Sequence, residues 1–281
     1  MKRILHILVA IITLGSMFSC EPVEDRNSLP AITKTAADLE FSVTVNANTV
    51  TVKNLDSKSI PYWSYTDATG KELGHFNDNV KDFIIPFKGT YYVTYTAYTP
   101  GGPVQSEPVK VIIAKTDLSS ITTDPKWGML TNGTAGKTWE LNMVNPIGWA
   151  GLDYPASSGD NWNWFPDYAT NSWVMENKNW GSMTLNLNEG YNISVTQTQL
   201  NTATQTTKNG TFSFDISKAS LVLSGGSEIL FGGDYYPDVS NWATVRVIKI
   251  TETELELGVI RDQSRKGEGK CQIVFRYKPK S

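Results

Sequence analysis

The chain is poor in the residues on which most catalytic and metal sites are built. It has two histidines, His6 and His75, and two cysteines, Cys20 and Cys271, in 281 residues. A zinc site lacks ligands, and a Ser-His-Asp or Cys-His arrangement would depend on His75 once an N-terminal leader is removed. Glycoside hydrolysis needs two carboxylates about 5–10 Å apart. The sequence has no E-x-D-x-x-E strand, and Glu140 and Glu176 stand without an acidic neighbour. These absences predict no catalytic residues and no cofactor, although loop Asp side chains leave a structural calcium open. Charge of one sign is not concentrated anywhere: the formal net charge is −3 and no Lys/Arg-rich block occurs. Nucleic acid is therefore not an expected partner.

No apolar run is long enough to span a bilayer. Residues 4–14 are apolar behind Lys2 and Arg3 and end at Met17-Phe18-Ser19-Cys20, the layout of an export leader. A Cys after a small residue at that point resembles a bacterial lipobox, which makes residues 1–20 a lipoprotein signal peptide and Cys20 the lipidated residue. With Cys20 so used, no intramolecular disulfide can form, and Cys271 reads as a small buried apolar residue. Residues 21–31, with Glu21, Glu24 and Asp25, read as an acidic tether that stays solvated. The tether resembles the stretch that directs some lipoproteins to the outer face of the outer membrane.

Sustained helical periodicity is missing beyond the leader, and short runs rich in Val, Ile, Thr, Tyr and Phe recur between turn signals. That pattern predicts an all-β chain. Residues 32–114 give alternating strands around a lone Trp63, expected in the core of an immunoglobulin-like sandwich. Within it Gly89-Thr90-Tyr91-Tyr92-Val93, following Trp63-Ser64-Tyr65-Thr66-Asp67, resembles a PKD-like domain, whose bland role is a spacer. Residues 115–126 are polar and small and read as a linker. Residues 127–281 carry eight of the nine tryptophans and are expected to form a jelly-roll-type antiparallel β-sandwich. Strands are expected at 173–175 among others, and hairpin turns at Asn188-Glu189-Gly190 and Asn209-Gly210.

Residues 145–180 concentrate rings among Asn, Asp, Gly and Pro, with neither a helical nor a long strand period. The expected strands supply enough Leu, Ile, Val and Phe for a core without these rings, which leaves them free to face outward. Flat rings stack on the apolar faces of sugars while amides and carboxylates bond the hydroxyls, so this composition suits carbohydrate. The candidate residues are Trp149, Tyr154, Trp162, Trp164, Tyr168 and Trp180, with Asp160, Asn161 and Asn163 as hydroxyl partners. Trp162 and Trp164 fall on one side if the stretch is extended. Trp173 and Trp180 divide between core and site, Trp139 reads as core, and Trp127 as a seal between domains. The run 232–238 offers a second wall beside Trp242.

Gly136-Lys137-Thr138-Trp139, Thr211-Phe212-Ser213-Phe214-Asp215, Leu221-Val222-Leu223-Ser224-Gly225-Gly226, Ile250-Thr251-Glu252-Thr253-Glu254-Leu255 and Val274-Phe275-Arg276-Tyr277 follow a recurrent plan. Together with lipobox, tether and spacer, they resemble the surface glycan-binding lipoproteins of Sus-like polysaccharide utilisation systems. The resemblance implies non-catalytic capture of a polysaccharide or oligosaccharide at the cell surface, beside an outer-membrane importer and surface glycoside hydrolases. Lys178 is the only base between 145 and 180, which favours a neutral glycan such as a β-glucan or hemicellulose. A glycoside hydrolase on a β-sandwich and a protein-binding adhesin are the alternatives.

Overall fold

Apolar residues at every second position put one row of side chains on each face of a strand, and among the eighteen strands of the described residues burial alternates in this way along 89–99, 181–186 and 220–224. The computed structural model describes residues 30–233, 235–263 and 267–281. The leader, Cys20, nearly all of the tether and Asp234 lie outside the described residues. None of the described helices is long and apolar enough to cross a membrane.

The first module contains β1 (Phe41–Asn46), β2 (Thr49–Asn54), β3 (Ile60–Asp67), β4 (Glu72–Phe76), β5 (Val80–Ile84), β6 (Gly89–Thr99), β7 (Gly102–Gln105) and β8 (Val109–Ile113). They form two open sheets, β1-β2-β5 and β4-β3-β6-β7, with β8 also paired to β6. Val50 and Val52 from one sheet and Trp63, Val93, Tyr95 and Val111 from the other share one core. Trp63 is fully buried at its centre, and its indole N–H donates to the Asp78 carbonyl.

A short helix, α1 (Lys126–Thr131), leads into β9 (Lys137–Leu141), β10 (Ile147–Ala150), β11 (Asn163–Trp164), β12 (Gly181–Asn186), β13 (Asn192–Thr198), β14 (Gln205–Asp215), β15 (Ser220–Ser224), β16 (Thr244–Ile250), β17 (Leu255–Arg261) and β18 (Cys271–Pro279). From β12 to β18 each strand pairs antiparallel with the next, and β9 pairs with both β12 and β18. The sheet thus closes on itself as an eight-stranded up-and-down barrel, so the expected jelly-roll sandwich is wrong. A jelly roll needs two facing sheets joined by Greek-key crossovers, whereas this meander leaves no free pair of edges. Both architectures alternate with period two, and only the strand pairings separate them.

Register corrects two local expectations as well. Asn209 and Gly210 lie inside β14, where Gly210 pairs with Ile193, and not at a hairpin turn. A Cβ at Gly210 would stand 1.9 Å from the Ser224 carbonyl oxygen, so the glycine is there for close strand approach. Residues 172–174 form a 3-10 turn in place of the expected strand. The turn around Glu189 does join β12 to β13, with Glu189 in the left-handed region at φ 57°.

The inward rows of all eight strands meet in one cluster that includes Trp139, Leu185, Ile193, Phe212, Leu221, Val245, Leu257 and Phe275. One end of the barrel is closed by α1. Trp127 packs on Tyr191, Phe212 and Phe214, and the Leu130 carbonyl accepts from the buried Trp139 indole. Phe87 of the first module joins this cluster edge-on to Tyr191. The two modules therefore meet at the α1 end.

Candidate functional site

The opposite end of the barrel is built around a split in the sheet. One edge of β18 pairs with β17 throughout, while the other pairs with β9 through residues 277–279 and with β10 through residues 272–275. The change occurs at Arg276, whose N–H donates to the Pro146 carbonyl and whose carbonyl accepts from Asn142 N–H. Past that point the outer neighbour of β10 is β11.

Register places Trp149 opposite Ile273, on the inward face, and Trp164 opposite Trp149. The two indoles stack with centroids 5.2 Å apart at 27°, and Trp173 stacks on Trp164 at 6.0 Å and 23°. Exposure rises along this ladder, from 9% at Trp149 to 43% at Trp164 and 70% at Trp173. Tyr235 meets Trp149 edge-on at 5.5 Å. The ladder begins in the barrel core and ends in water.

The loop that carries β11 is fastened by buried polar groups. Gln272, with no exposed surface, donates its amide to the carbonyls of Gly151 and Tyr154. Arg246 donates to the Leu152 carbonyl at 2.8 Å and to Gln272 Oε1 at 3.1 Å. Phe165, next to Trp164, points to the other face and lies against Gly148, where a Cβ would come within 2.0 Å of its ring. Tyr154 packs on Phe165 at 5.6 Å, and the Arg276 guanidinium covers the same ring at 4.1 Å.

The predicted residues thus divide. Trp149 and Trp164 are brought together, and Trp162 is half-exposed beside them. Trp180 is buried in the core with its indole donating to Glu176, and offers no face to a ligand. Tyr154 anchors the loop, and Tyr168 is half-buried with its hydroxyl on the Met175 carbonyl. Asp160 accepts from Leu152 N–H, and Asn161 donates to the Ala156 carbonyl, so both side chains hold the loop. Asn163 is exposed in β11. Trp173, which the sequence divides between core and site, and Tyr235, from the run expected as a second wall, complete the ladder; adjacency in space across 149, 164 and 173 leaves no spacing signal in sequence.

Lys178, the one base of the stretch, is consumed locally. Its ammonium donates to the carbonyls of Gln199 and Leu200, pairs with Glu176 at 2.9 Å and lies over the Trp180 ring. No group of three or more His, Cys, Asp or Glu among the described residues is placed to hold a metal ion. Cys271 is buried, and burial raises its thiol pKa, so it is a poor nucleophile at neutral pH. No protein-family model matches this chain, and no curated protein matches it.

Proposed function

We propose that this protein binds a neutral polysaccharide without cleaving it, using the tryptophan ladder as its platform. The observation that carries the reading is the exposure gradient along Trp149, Trp164 and Trp173. A core tryptophan has no reason to support two further stacked rings that reach into water, whereas a sugar ring stacked on Trp173 would simply extend the series. The internal pairing of Lys178 leaves the ladder without a free cation from its own stretch, which suits an uncharged ligand. An open platform leaves much of the ligand in water, so a modest Kd of roughly 1 µM to 1 mM is expected, with avidity from many copies on a membrane.

The address follows from the leader: Cys20 as a lipid anchor would place the chain on the outer membrane, facing outward. There it would serve an importer and surface glycoside hydrolases by capturing the glycan. The ladder lies at the barrel end away from the first module, which fits that module's role as a spacer. Affinity electrophoresis of residues 21–281 through gels containing laminarin, mixed-linkage β-glucan, xyloglucan or galactomannan tests the reading, with a reducing-sugar assay on the same mixtures. Retardation by one polymer, lost in Trp164→Ala/Trp173→Ala and without release of reducing ends, is expected. Release of reducing ends would make the protein an enzyme, and retardation that survives the double change would remove the ladder from the site.

A further inference from the structure

We propose that the same barrel end carries a second saccharide subsite, on Tyr236, so that the protein grips a glycan at two points along the chain. The inference rests on the carbohydrate reading above. Its basis is a second aromatic stack that also ends in water. Phe231 and Trp242, both buried, stack at 4.3 Å, and Tyr236 lies over them at 5.9 Å and 6.2 Å, with its ring within 9° of parallel to Trp242. Tyr236 is 49% exposed. The pattern repeats that of the tryptophan ladder, with buried rings below and one open ring on top.

A cavity of about 280 Å³ adjoins this stack, lined by Gln197, Thr206, Lys208, Glu228, Phe231 and Tyr236. The Gln197 amide accepts from Phe231 N–H at 3.0 Å and donates to the Phe231 carbonyl at 2.9 Å, so the floor of the cavity is fixed from β13. Lys208 and Glu228 face each other across 4.0 Å and offset each other's charge. An aromatic floor with the Thr206 hydroxyl and mutually neutralised charged groups around it matches an uncharged polyol ring. The two stacks are joined through consecutive residues, because Tyr235 packs on Trp149 and Tyr236 on Trp242. Gly232 and Gly233 hold that segment close to Met175, Trp180 and Val174, the last of which follows Trp173 in the chain. A ligand long enough to touch both stacks gains from both, and a short one from only one.

The test is calorimetric titration of the chain lacking only its leader with β-glucan, xyloglucan and mannan oligosaccharides, from disaccharide to octasaccharide. The series used is the one whose polymer retards the protein in gels. Tyr236→Ala is expected to leave the disaccharide affinity unchanged and to lower that for the longest oligosaccharide about tenfold, whereas Trp173→Ala lowers both. Tyr236→Phe, which keeps the platform, should bind all lengths like the parent. Thr206→Trp fills the cavity from exposed β14 and should reproduce the length-dependent loss by occupying the space beside Tyr236. If Tyr236→Ala and Thr206→Trp bind every length as the parent does while Trp173→Ala loses affinity, the second subsite is wrong and the ladder stands. If none of the three changes binding, both readings fail together.

Discussion

Replacing the three ladder tryptophans one at a time should separate stability from binding in opposite orders. Trp149 is 9% exposed and packs between Trp164 and the core. Its truncation to Ala removes a buried ring and should cost about 3–5 kcal/mol. Trp164 is 43% exposed, so ~115 Å² of a ring that buries roughly 200 Å² is covered, and its loss should cost about 2.9 kcal/mol at ~25 cal/mol/Å². Trp173, 70% exposed, has only ~60 Å² covered, which sets about 1.5 kcal/mol as an upper bound. Binding should run the other way. A sugar covering one face of Trp173 would remove ~70 Å² from water, about 1.8 kcal/mol, or roughly 20-fold in Kd when that ring is deleted. Denaturant unfolding followed by far-ultraviolet circular dichroism measures the first series, without relying on the fluorescence of the deleted ring. Titration with the retarding glycan measures the second. The reasoning is refuted if Trp173→Ala destabilises the fold as much as Trp149→Ala, or if it binds as tightly as the parent.

Gln272→Leu should cost about 1–3 kcal/mol, because the buried carbonyls of Gly151 and Tyr154 lose their donor. Hydrogen exchange in residues 151–161 should accelerate, and unchanged exchange would show that the loop does not depend on this clamp. Gly148→Ala drives a methyl to within 2.0 Å of the Phe165 ring and should displace Phe165 and weaken glycan retardation more than a neutral surface change would. Parent-like melting and retardation would count against the packing described. For acid stability, hydrogen bonds from Ser217 and Lys218 hold the Asp215 carboxyl down to about 2, and Ser240 lowers that of Asp262. A depressed carboxylate stabilises the fold fully above its unfolded pKa near ~4 and loses that contribution as pH falls through the folded value. Thermal scans should therefore show the Asp215 contribution constant at neutral pH and lost between about pH 4 and 2, with the Asp215→Asn variant less sensitive in that window, while the Asp262 contribution is lost as pH falls below about 4.

What could be read from the sequence is what depends on local alternation. Leu185, Leu187, Ile193, Val195, Leu255 and Leu257 were assignable to the core because they recur at period two, and all are buried. Closure into a barrel was not legible, since it turns on β9 pairing with both β12 and β18, strands far apart in sequence. The Asn209-Gly210 dipeptide has the chemistry of a tight turn, yet β14 continues through it because β15 approaches too closely for a side chain at Gly210. In the 145–180 stretch Trp164 was recognisable as an outward ring, but Trp149 and Trp180 carried the same local signal and are buried in the core. Residue type marks the region, and only cross-strand register shows which rings face water.

That register also explains why the site lies where it does. Along the length where the eight strands close, an inward-facing ring is covered by the opposite wall and cannot continue outward. Here β18 changes partner at Arg276, so β10 and β11 leave the barrel wall and Trp149 keeps its inward orientation while the wall beside it ends. The apolar face so uncovered would normally have to be buried by a cap, as α1 does at the other end. Here residues 174–180 and 229–242 bury much of the apolar surface, Trp164 and Trp173 continue the stack outward, and the outer ring, Trp173, has a face left over. An aromatic stack that runs out of protein before it runs out of apolar surface is stabilised further by any flat apolar face of matching size, and the pyranose ring is such a face on an otherwise water-soluble molecule. The Phe231, Trp242 and Tyr236 stack ends in the same way, so the argument for a ligand rests on a repeated arrangement and not on a single exposed side chain.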